Sequence, residues 1–155
     1  MALALSRQKL PVLDRNVLAP AESLVRGAYV LSEARGGIPL LILMASGSEV
    51  SLILEAQKML EEGEPPVPTR VVSFPSWELF EAQSIDYRDL VLPPGLAARF
   101  AVEAAVGQGW DRYVGPRGGF WGMRGFGASA PLEDLRKGFG FTAENVARRA
   151  REILS

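Results

Sequence analysis

The six residues Leu40-Leu41-Ile42-Leu43-Met44-Ala45 are apolar at every position. A strand with one wet face alternates apolar and polar residues, whereas a parallel strand covered on both faces reads as a continuous apolar run. The stretch therefore predicts a central strand of a mostly parallel sheet. Because such a strand needs cover on both sides, it also predicts helices on both faces of that sheet.

The four residues after this run, Ser46-Gly47-Ser48-Glu49, match a capping box, with serine first and glutamate three positions later. They predict a helix over about residues 50–62 that ends at Gly63. An anion-binding helix start is the alternative, but the full phosphate-loop and dinucleotide patterns are missing and Glu49 would repel a phosphate. Helix capping is the favoured interpretation. The apolar face of this helix is predicted to comprise Val50, Ile53, Leu54 and Leu60.

Strand and helix patterns alternate along the rest of the chain. The candidate strands cover residues 28–32, 40–45, 70–74, 99–104 and about 119–123. Further helices are indicated by capping residues or by a helix-starting proline, namely Ser76, Ser84, Pro131 and Thr142. The last of these helices has the apolar face Val146, Ala150, Ile153 and Leu154. This order predicts the α/β class: a three-layer α/β/α domain with a mostly parallel five-stranded sheet.

Residues 74–83, Phe-Pro-Ser-Trp-Glu-Leu-Phe-Glu-Ala-Gln, follow one of the strands and concentrate aromatic side chains. Pro75 prevents the strand from continuing, and Ser76 can cap a short helix. Trp77 and Phe80 are three apart and so share one face of that helix. Core or subunit-interface packing is the favoured role of Trp77 and Phe80, and of Trp110 and Tyr113 further along the chain, with base or sugar stacking as the alternative.

Composition excludes several functional classes. The net charge of −1 gives no reason to expect a general affinity for nucleic acid or anionic membranes. The chain has no cysteine and no histidine, which excludes disulfides, thiolate metal sites and the usual catalytic triads. No apolar stretch approaches the roughly 18 residues that span a bilayer, and the first residues lack the features of a signal peptide. A cytoplasmic location is expected.

The beginning of the chain carries the main candidate for a binding residue. Residues 2–5 read as a buried strand, Arg7 lies directly at its carboxyl end, and residues 10–20 read as a linker. Ligands of α/β proteins gather at the carboxyl ends of strands, where a guanidinium can grip a phosphate with two hydrogen bonds. A surface ion pair is the alternative role for Arg7.

Three further features have both a functional and a structural interpretation. Glu103 lies at the end of the predicted strand 99–104 and could be a buried acid, but no histidine or lysine stands beside it in sequence, so a proton-transfer role is not favoured. The cluster Arg148, Arg149 and Arg151 is interpreted as the solvated face of the last helix. Residues 126–131 form a glycine-bearing turn into a helix, for which an interface role is a hypothesis.

Several separated segments occur together in one order: residues 4–8, 26–31, 47–50, 74–83, 87–94, 102–104, 109–113, 126–131 and 139–146. They include Ser-Arg-Gln, Gly-Ala-Tyr-Val-Leu, Ser-Trp-Glu-Leu-Phe, Gly-Trp-Asp-Arg-Tyr and Phe-Gly-Ala-Ser-Ala-Pro. The ordered set resembles the last part of the transketolases over essentially the whole chain. Residues 120–121, Phe-Trp, are bulkier than the aliphatic residues usual in that family.

The resemblance implies a division of the chain. Residues 1–18 would be the end of the family's pyrimidine-binding domain with its linker, and residues 19–155 the C-terminal domain. In the full enzyme, thiamine diphosphate and a divalent metal, Mg or Ca, serve the transfer of two-carbon ketol units between sugar phosphates in the pentose phosphate pathway. No catalytic, cofactor-binding or metal-binding residue is assigned to this chain, and alone it would bind no cofactor and be inactive.

The resemblance also implies the partners and one site residue. Arg7 would contact the phosphate end of the sugar-phosphate substrate, and the partners would be the remaining transketolase domains within a homodimer. One alternative is a non-enzymatic α/β interaction module that binds a protein partner through Trp77, Phe80 and the glycine-rich residues 107–127. Another is the C-terminal part of a different thiamine-diphosphate enzyme.

Overall fold

A computed structural model describes residue 5 and residues 8–154 of the chain. The predicted strand at residues 2–5 lies outside the described residues except for Leu5, which is exposed and belongs to no strand. The predicted linker contains no helix or strand, and a 3₁₀ helix that the sequence did not suggest follows it at Ala21–Arg26.

Among the described residues, five strands form one sheet, as predicted: β1 (Tyr29–Ser32), β2 (Leu41–Ala45), β3 (Thr69–Ser73), β4 (Arg99–Val102) and β5 (Gly119–Trp121). Their order across the sheet is β1-β3-β2-β4-β5. All neighbours run parallel except β1, which pairs antiparallel with β3 at one edge. Six α-helices accompany them in the described part of the chain: α1 (Glu49–Glu62), α2 (Trp77–Glu81), α3 (Ile85–Val91), α4 (Asp111–Val114), α5 (Leu132–Gly138) and α6 (Ala143–Glu152).

The central strand β2 explains the three layers. All five of its residues are fully buried. Leu41, Leu43 and Ala45 belong to an apolar cluster with α1 and α6 on one face of the sheet. Ile42 and Met44 belong to a second cluster with α2, α3 and α4 on the other face. Alternating side chains of one strand thus require cover on both sides, as the apolar run predicted.

Several helix starts follow the sequence. Ser76, Ser84 and Thr142 each accept a hydrogen bond from the backbone N–H three residues later, at 3.3 Å in each case. Pro131 precedes α5 as its N-cap and is not its first residue, a shift of one position. Such caps depend on neighbours in sequence, which is why they can be predicted.

The prediction of a capping box at residues 46–49 is wrong. Helix α1 begins at Glu49 with Ser48 as its N-cap, and no side chain caps it. The Ser46 hydroxyl instead lies 3.0 and 2.9 Å from the two carboxylate oxygens of Glu103. A partner 57 residues away, directly after the neighbouring strand β4, therefore competes successfully with the local capping arrangement.

The last helix departs from its predicted faces at three positions. Leu154, predicted to be apolar cover, is 39% exposed beyond the end of α6. Arg149 and Arg151, predicted to be solvated, are half-buried. Arg151 donates to the carbonyls of Leu60 and Pro65, and Arg149 lies on the ring of Trp121. Long arginine side chains can cover apolar surface while their head groups bond to the backbone, which charge alone does not reveal.

Gly27 lies where a side chain would collide with the backbone of α2. It has a φ of +81°, and a Cβ at this position would lie 2.2 Å from the backbone nitrogen of Phe80 and 2.4 Å from the carbonyl oxygen of Ser76. The Ser76 N–H donates to the Gly27 carbonyl at 2.9 Å. The absence of a side chain therefore lets α2 lie directly on the chain that enters β1.

We expect Gly27→Ala to lower the free energy of unfolding by roughly 3 kcal/mol or more, since it adds a left-handed backbone penalty to a backbone clash. Gly36→Ala is the matched control, because Gly36 has a φ of +82° but nothing within 4 Å of a Cβ. It should cost only about 1 to 2 kcal/mol. Urea unfolding of both variants measures the difference, and equal losses would show that close packing at Gly27 is unimportant.

Candidate functional site

The carboxyl ends of β2, β3, β4 and β5 meet at one edge of the sheet because these strands are parallel. The connection after β2 leads to β3 on one side, whereas the connection after β4 leads to β5 on the other. The gap between β2 and β4 is therefore a topological switch point, the usual place for ligands in open α/β sheets. Ser46 follows β2 and Glu103 follows β4, so both lie at this point.

Glu103 is the acidic residue at the switch point. Its half-buried carboxylate accepts a hydrogen bond from Ser46. Burial raises the pKa of Glu103 above its ordinary value, the Ser46 hydrogen bond opposes this shift, and the nearby charge of Glu49 adds to it. Glu49 in turn accepts from the backbone N–H of Ala104 at 3.3 Å. The arrangement can hold a proton more readily than an exposed glutamate.

Two clefts lie on either side of this acidic group. The first, of about 330 Å³, has Trp77 and Trp110 in its wall together with Glu78, Glu103 and Ser46. Every charged residue that lines it is a carboxylate. We call it the acidic cleft.

The second cleft, of about 270 Å³, separates the N-terminal segment from α1 and α5, and we call it the linker cleft. Residues 8–11 line it on one side, and Ser48, Glu49, Leu132 and Phe139 are among the residues opposite. Arg7, the predicted substrate-binding residue, lies outside the described residues. The structure shows that the two residues after it, Gln8 and Lys9, border the linker cleft beside the start of α1.

The predicted aromatic residues pack on one another beneath the acidic cleft. Phe74 lies 4.9 Å from Phe80 and 5.6 Å from Trp110 between ring centroids, and Trp77 lies 5.7 Å from Trp110. Tyr113 contacts four of these rings. All except Trp77 are buried, and Trp77 is half-buried. Core packing is thus confirmed as a role of Trp77, Phe80, Trp110 and Tyr113.

A network of polar side chains around Glu81 adjoins this aromatic cluster through the hydroxyl of Tyr113. The Tyr113 hydroxyl donates to Glu81 at 3.0 Å, and Glu81 also pairs with Arg88 at 2.9 Å and with Arg112 at 3.7 Å. Burial and, next, the hydrogen bond to Glu81 raise the pKa of Tyr113 to about 12. Neither Tyr113 nor Glu81 lines either of the two clefts, so the network serves the packing of α2 against α4.

The sequence identified Glu103 but not its partner. The signal that could have found the pair is positional, since Ser46 follows one predicted strand of the parallel sheet and Glu103 lies at the carboxyl end of another. Among the described residues, no group of three or more histidine, cysteine, aspartate or glutamate side chains could hold a metal ion. Within the same residues, no helix is long and apolar enough to cross a membrane.

We expect Glu103→Gln to be more stable than the native chain near pH 7. Folding raises the pKa of Glu103, so the folded chain holds this proton to a higher pH than the unfolded chain does. Its contribution to stability is therefore complete below about pH 4.5 and is lost as the pH rises through the folded pKa. The amide carries no charge, so the difference in unfolding free energy should grow from about pH 4 to about pH 7. Glu78→Gln, at an exposed residue of the same cleft, should show a smaller change. A constant difference across this range would contradict the burial effect.

We expect stability to fall as the pH rises from about 10 to about 12, because ionisation of Tyr113 is suppressed only in the folded chain. Tyr113→Phe keeps the ring but removes the hydroxyl, so its stability should fall less over this range. Phenolate absorbance should also show one fewer late-titrating tyrosine. The interpretation fails if the variant and the native chain lose stability in parallel.

Comparison with known proteins gives a consistent result. The family model described as the Transketolase-like TK C-terminal domain matches residues 27–142. The chain is 45% identical over 154 residues to a transketolase of Geobacillus stearothermophilus, covering 99% of this chain and 23% of the relative. It is 51% identical over 152 residues to a transketolase of Sinorhizobium medicae, covering 98% of this chain and 21% of the relative.

Solved structures agree with these relatives. The chain matches the Pichia stipitis transketolase complex with sedoheptulose-7-phosphate with a TM-score of 0.83 and 36% identity, over 96% of this chain and 20% of the other. A split-gene transketolase described as an inactive β4 tetramer shares the fold, with a TM-score of 0.68 and 20% identity, over 96% of this chain and 48% of the other. The chain thus spans only about a fifth of the length of the curated relatives it matches.

Proposed function

Because this chain belongs to the transketolase family through its C-terminal domain, we propose that it works as the C-terminal portion of an enzyme that transfers two-carbon ketol units between sugar phosphates. The observation that supports this most strongly is the superposition on the Pichia stipitis enzyme, which takes in 96% of this chain. The proposal includes a cytoplasmic location, as the sequence predicts.

The reactive chemistry of the proposed enzyme belongs to other parts of the protein. Thiamine diphosphate, when bound, supplies the carbanion stabilisation, and the protein positions it. The described residues do not fit a metal-bound diphosphate, because they offer no cluster of carboxylate or imidazole ligands. We therefore assign no catalytic step to this chain and place the cofactor and its divalent ion in the remaining transketolase domains.

Arg7 is the residue that we propose contacts substrate. Its neighbours Gln8 and Lys9 border the linker cleft, where the N-terminal segment lies beside α1. A guanidinium in this segment would grip the phosphate of a sugar phosphate through paired, charge-assisted hydrogen bonds. We retain residues 1–18 as the end of the preceding domain with its linker and residues 19–155 as the C-terminal domain.

The N-terminal segment also supports contact with the remaining domains. Val12 is 99% exposed and Val17 is 81% exposed, although both are aliphatic. Apolar side chains that gather on one exposed segment suggest a surface that another domain covers. We propose that the preceding transketolase domain covers this segment, and that the complete enzyme is a homodimer.

A chimaera tests the proposal directly. Residues 1–155 replace the matching segment of the Geobacillus stearothermophilus transketolase, to which they are 45% identical. We expect the purified chimaera to bind thiamine diphosphate and to transfer ketol groups. A folded, cofactor-loaded chimaera without transfer activity would contradict the proposal and favour the alternative of a non-enzymatic interaction module.

Arg7→Ala in the chimaera tests the role of this side chain. We expect the KM for a phosphorylated sugar to rise roughly tenfold or more, since a charge-assisted hydrogen bond contributes about 1.5 to 3 kcal/mol, with little change for an unphosphorylated sugar. Arg15→Ala is the matched control, because the exposed Arg15 donates to the Ala19 carbonyl within the same segment. Equal rises in KM for the two sugars would remove Arg7 from the phosphate site.

A further inference from the structure

A third cleft lies at the β5 edge of the sheet, away from the switch point between β2 and β4. It has a volume of about 470 Å³, within the range of pockets that bind small organic ligands. We call it the edge cleft and define it by the residues that line it: Trp121, Gly122, Met123, Arg124, Gly125, Phe126, Lys137, Gly138, Phe139, Gly140 and Asn145.

The edge cleft is positively charged. Its two charged lining residues, Arg124 and Lys137, are both cations, and neither forms an ion pair with any carboxylate of the described residues. A third cation, Arg149, lies over the Trp121 ring at 3.7 Å. The whole chain has a net charge of −1, so composition does not account for this excess. Cations gathered in a concave site raise the local concentration of anions.

Trp121 provides an unused hydrogen-bond donor at the same place. Its indole Nε1 is buried and has no hydrogen-bond partner among the described residues. Buried donors in native proteins are nearly always satisfied, and an orphaned one needs an explanation such as a ligand. Arg124 also approaches the Trp121 ring, at 5.9 Å from its centroid.

The backbone beside the edge cleft is held by hydrogen bonds and by one closely packed glycine. The Arg136 carbonyl accepts from the Phe141 N–H, and the Lys137 carbonyl accepts from the Gly140 N–H. Two of the last carbonyls of α5 are thus hydrogen-bonded within the chain. Gly140 has a φ of +73°, and a Cβ there would lie 3.0 Å from both the Trp121 ring and Asn145. A side chain at this position would crowd the indole.

We propose that the edge cleft binds a small organic phosphate. Arg124 and Lys137 would donate to the phosphate oxygens and the Trp121 indole N–H to a further acceptor, since charge-assisted hydrogen bonds are the strong ones. The ring of Phe126, fully exposed at the rim, could cover a planar group attached to the phosphate. The site is independent of the ketol transfer proposed above.

Binding to the purified 155-residue chain tests the proposal without any activity assay. The probes are ADP and glucose 6-phosphate, with adenosine and glucose as their phosphate-free counterparts. We expect both phosphates to bind and both counterparts to fail. Among the three tryptophan indole N–H resonances, that of Trp121 should shift on binding, and Trp121→Phe identifies it. Phosphate titrations up to millimolar concentrations that leave the Trp121 resonance unmoved would overturn the proposal.

Charge variants make the test specific. Arg124→Gln and Lys137→Gln, both at exposed residues, should each weaken binding of the phosphate probes roughly three- to tenfold. Arg117→Gln, at an exposed arginine that precedes β5 at its opposite end, should leave binding unchanged. Equal losses in all three variants would overturn the site, since they would reflect net charge alone. The thermal unfolding of each variant shows that the fold is retained.

The two probes also distinguish the source of the phosphate. If Phe126 covers a planar ring, ADP should bind more tightly than glucose 6-phosphate, and Phe126→Ala should remove only that advantage. Equal binding of the two phosphates, unaffected by Phe126→Ala, would still support the phosphate site and would assign it to phosphate recognition without a ring. Binding should weaken with added salt, because the cations are exposed.

Discussion

The complete burial of β2 is the constraint on which the rest of the structure depends. Its five residues send alternating side chains into two separate apolar clusters, one under α1 and α6 and the other under α2, α3 and α4. If the helices on either face of the sheet were absent, apolar side chains of β2 would be exposed to water, which is unfavourable. The connections of β2 and β4 then leave in opposite directions, which creates the switch point where Ser46 and Glu103 meet.

The fold also brings together segments that are distant in sequence. Gly27 lets α2 lie against the chain before β1, and the Tyr87 hydroxyl donates to the Ala28 carbonyl at 2.9 Å. Arg26 lies over the Tyr87 ring at 4.6 Å. Three of the sequence segments that resemble transketolases, at residues 26–31, 74–83 and 87–94, therefore form a single contact. Their joint occurrence in the sequence has a structural reason, which is that each provides a surface for the others.

Charge is distributed unequally over the clefts. The acidic cleft at the switch point contains only carboxylates among its charged lining residues, whereas the edge cleft contains only cations. The linker cleft combines both signs, with Glu49 opposed to Lys9 and Arg136. This C-terminal domain thus offers chemically distinct surfaces, and the linker cleft is the one that Gln8 and Lys9 border.

The sequence by itself determined the five strands of the sheet, the order of the helices, three of the helix caps and the family, because apolar periodicity and capping depend on neighbouring residues. The tertiary structure alone decided the partner of Ser46, the burial of Arg149 and Arg151 and the exposure of Leu154. It also brought Arg124, Lys137 and Trp121 into one cleft. These features depend on contacts between groups that are far apart in the chain, so the sequence around each residue does not predict them. The packing of the helices on the sheet determines which polar group forms a hydrogen bond and which side chain is exposed to water.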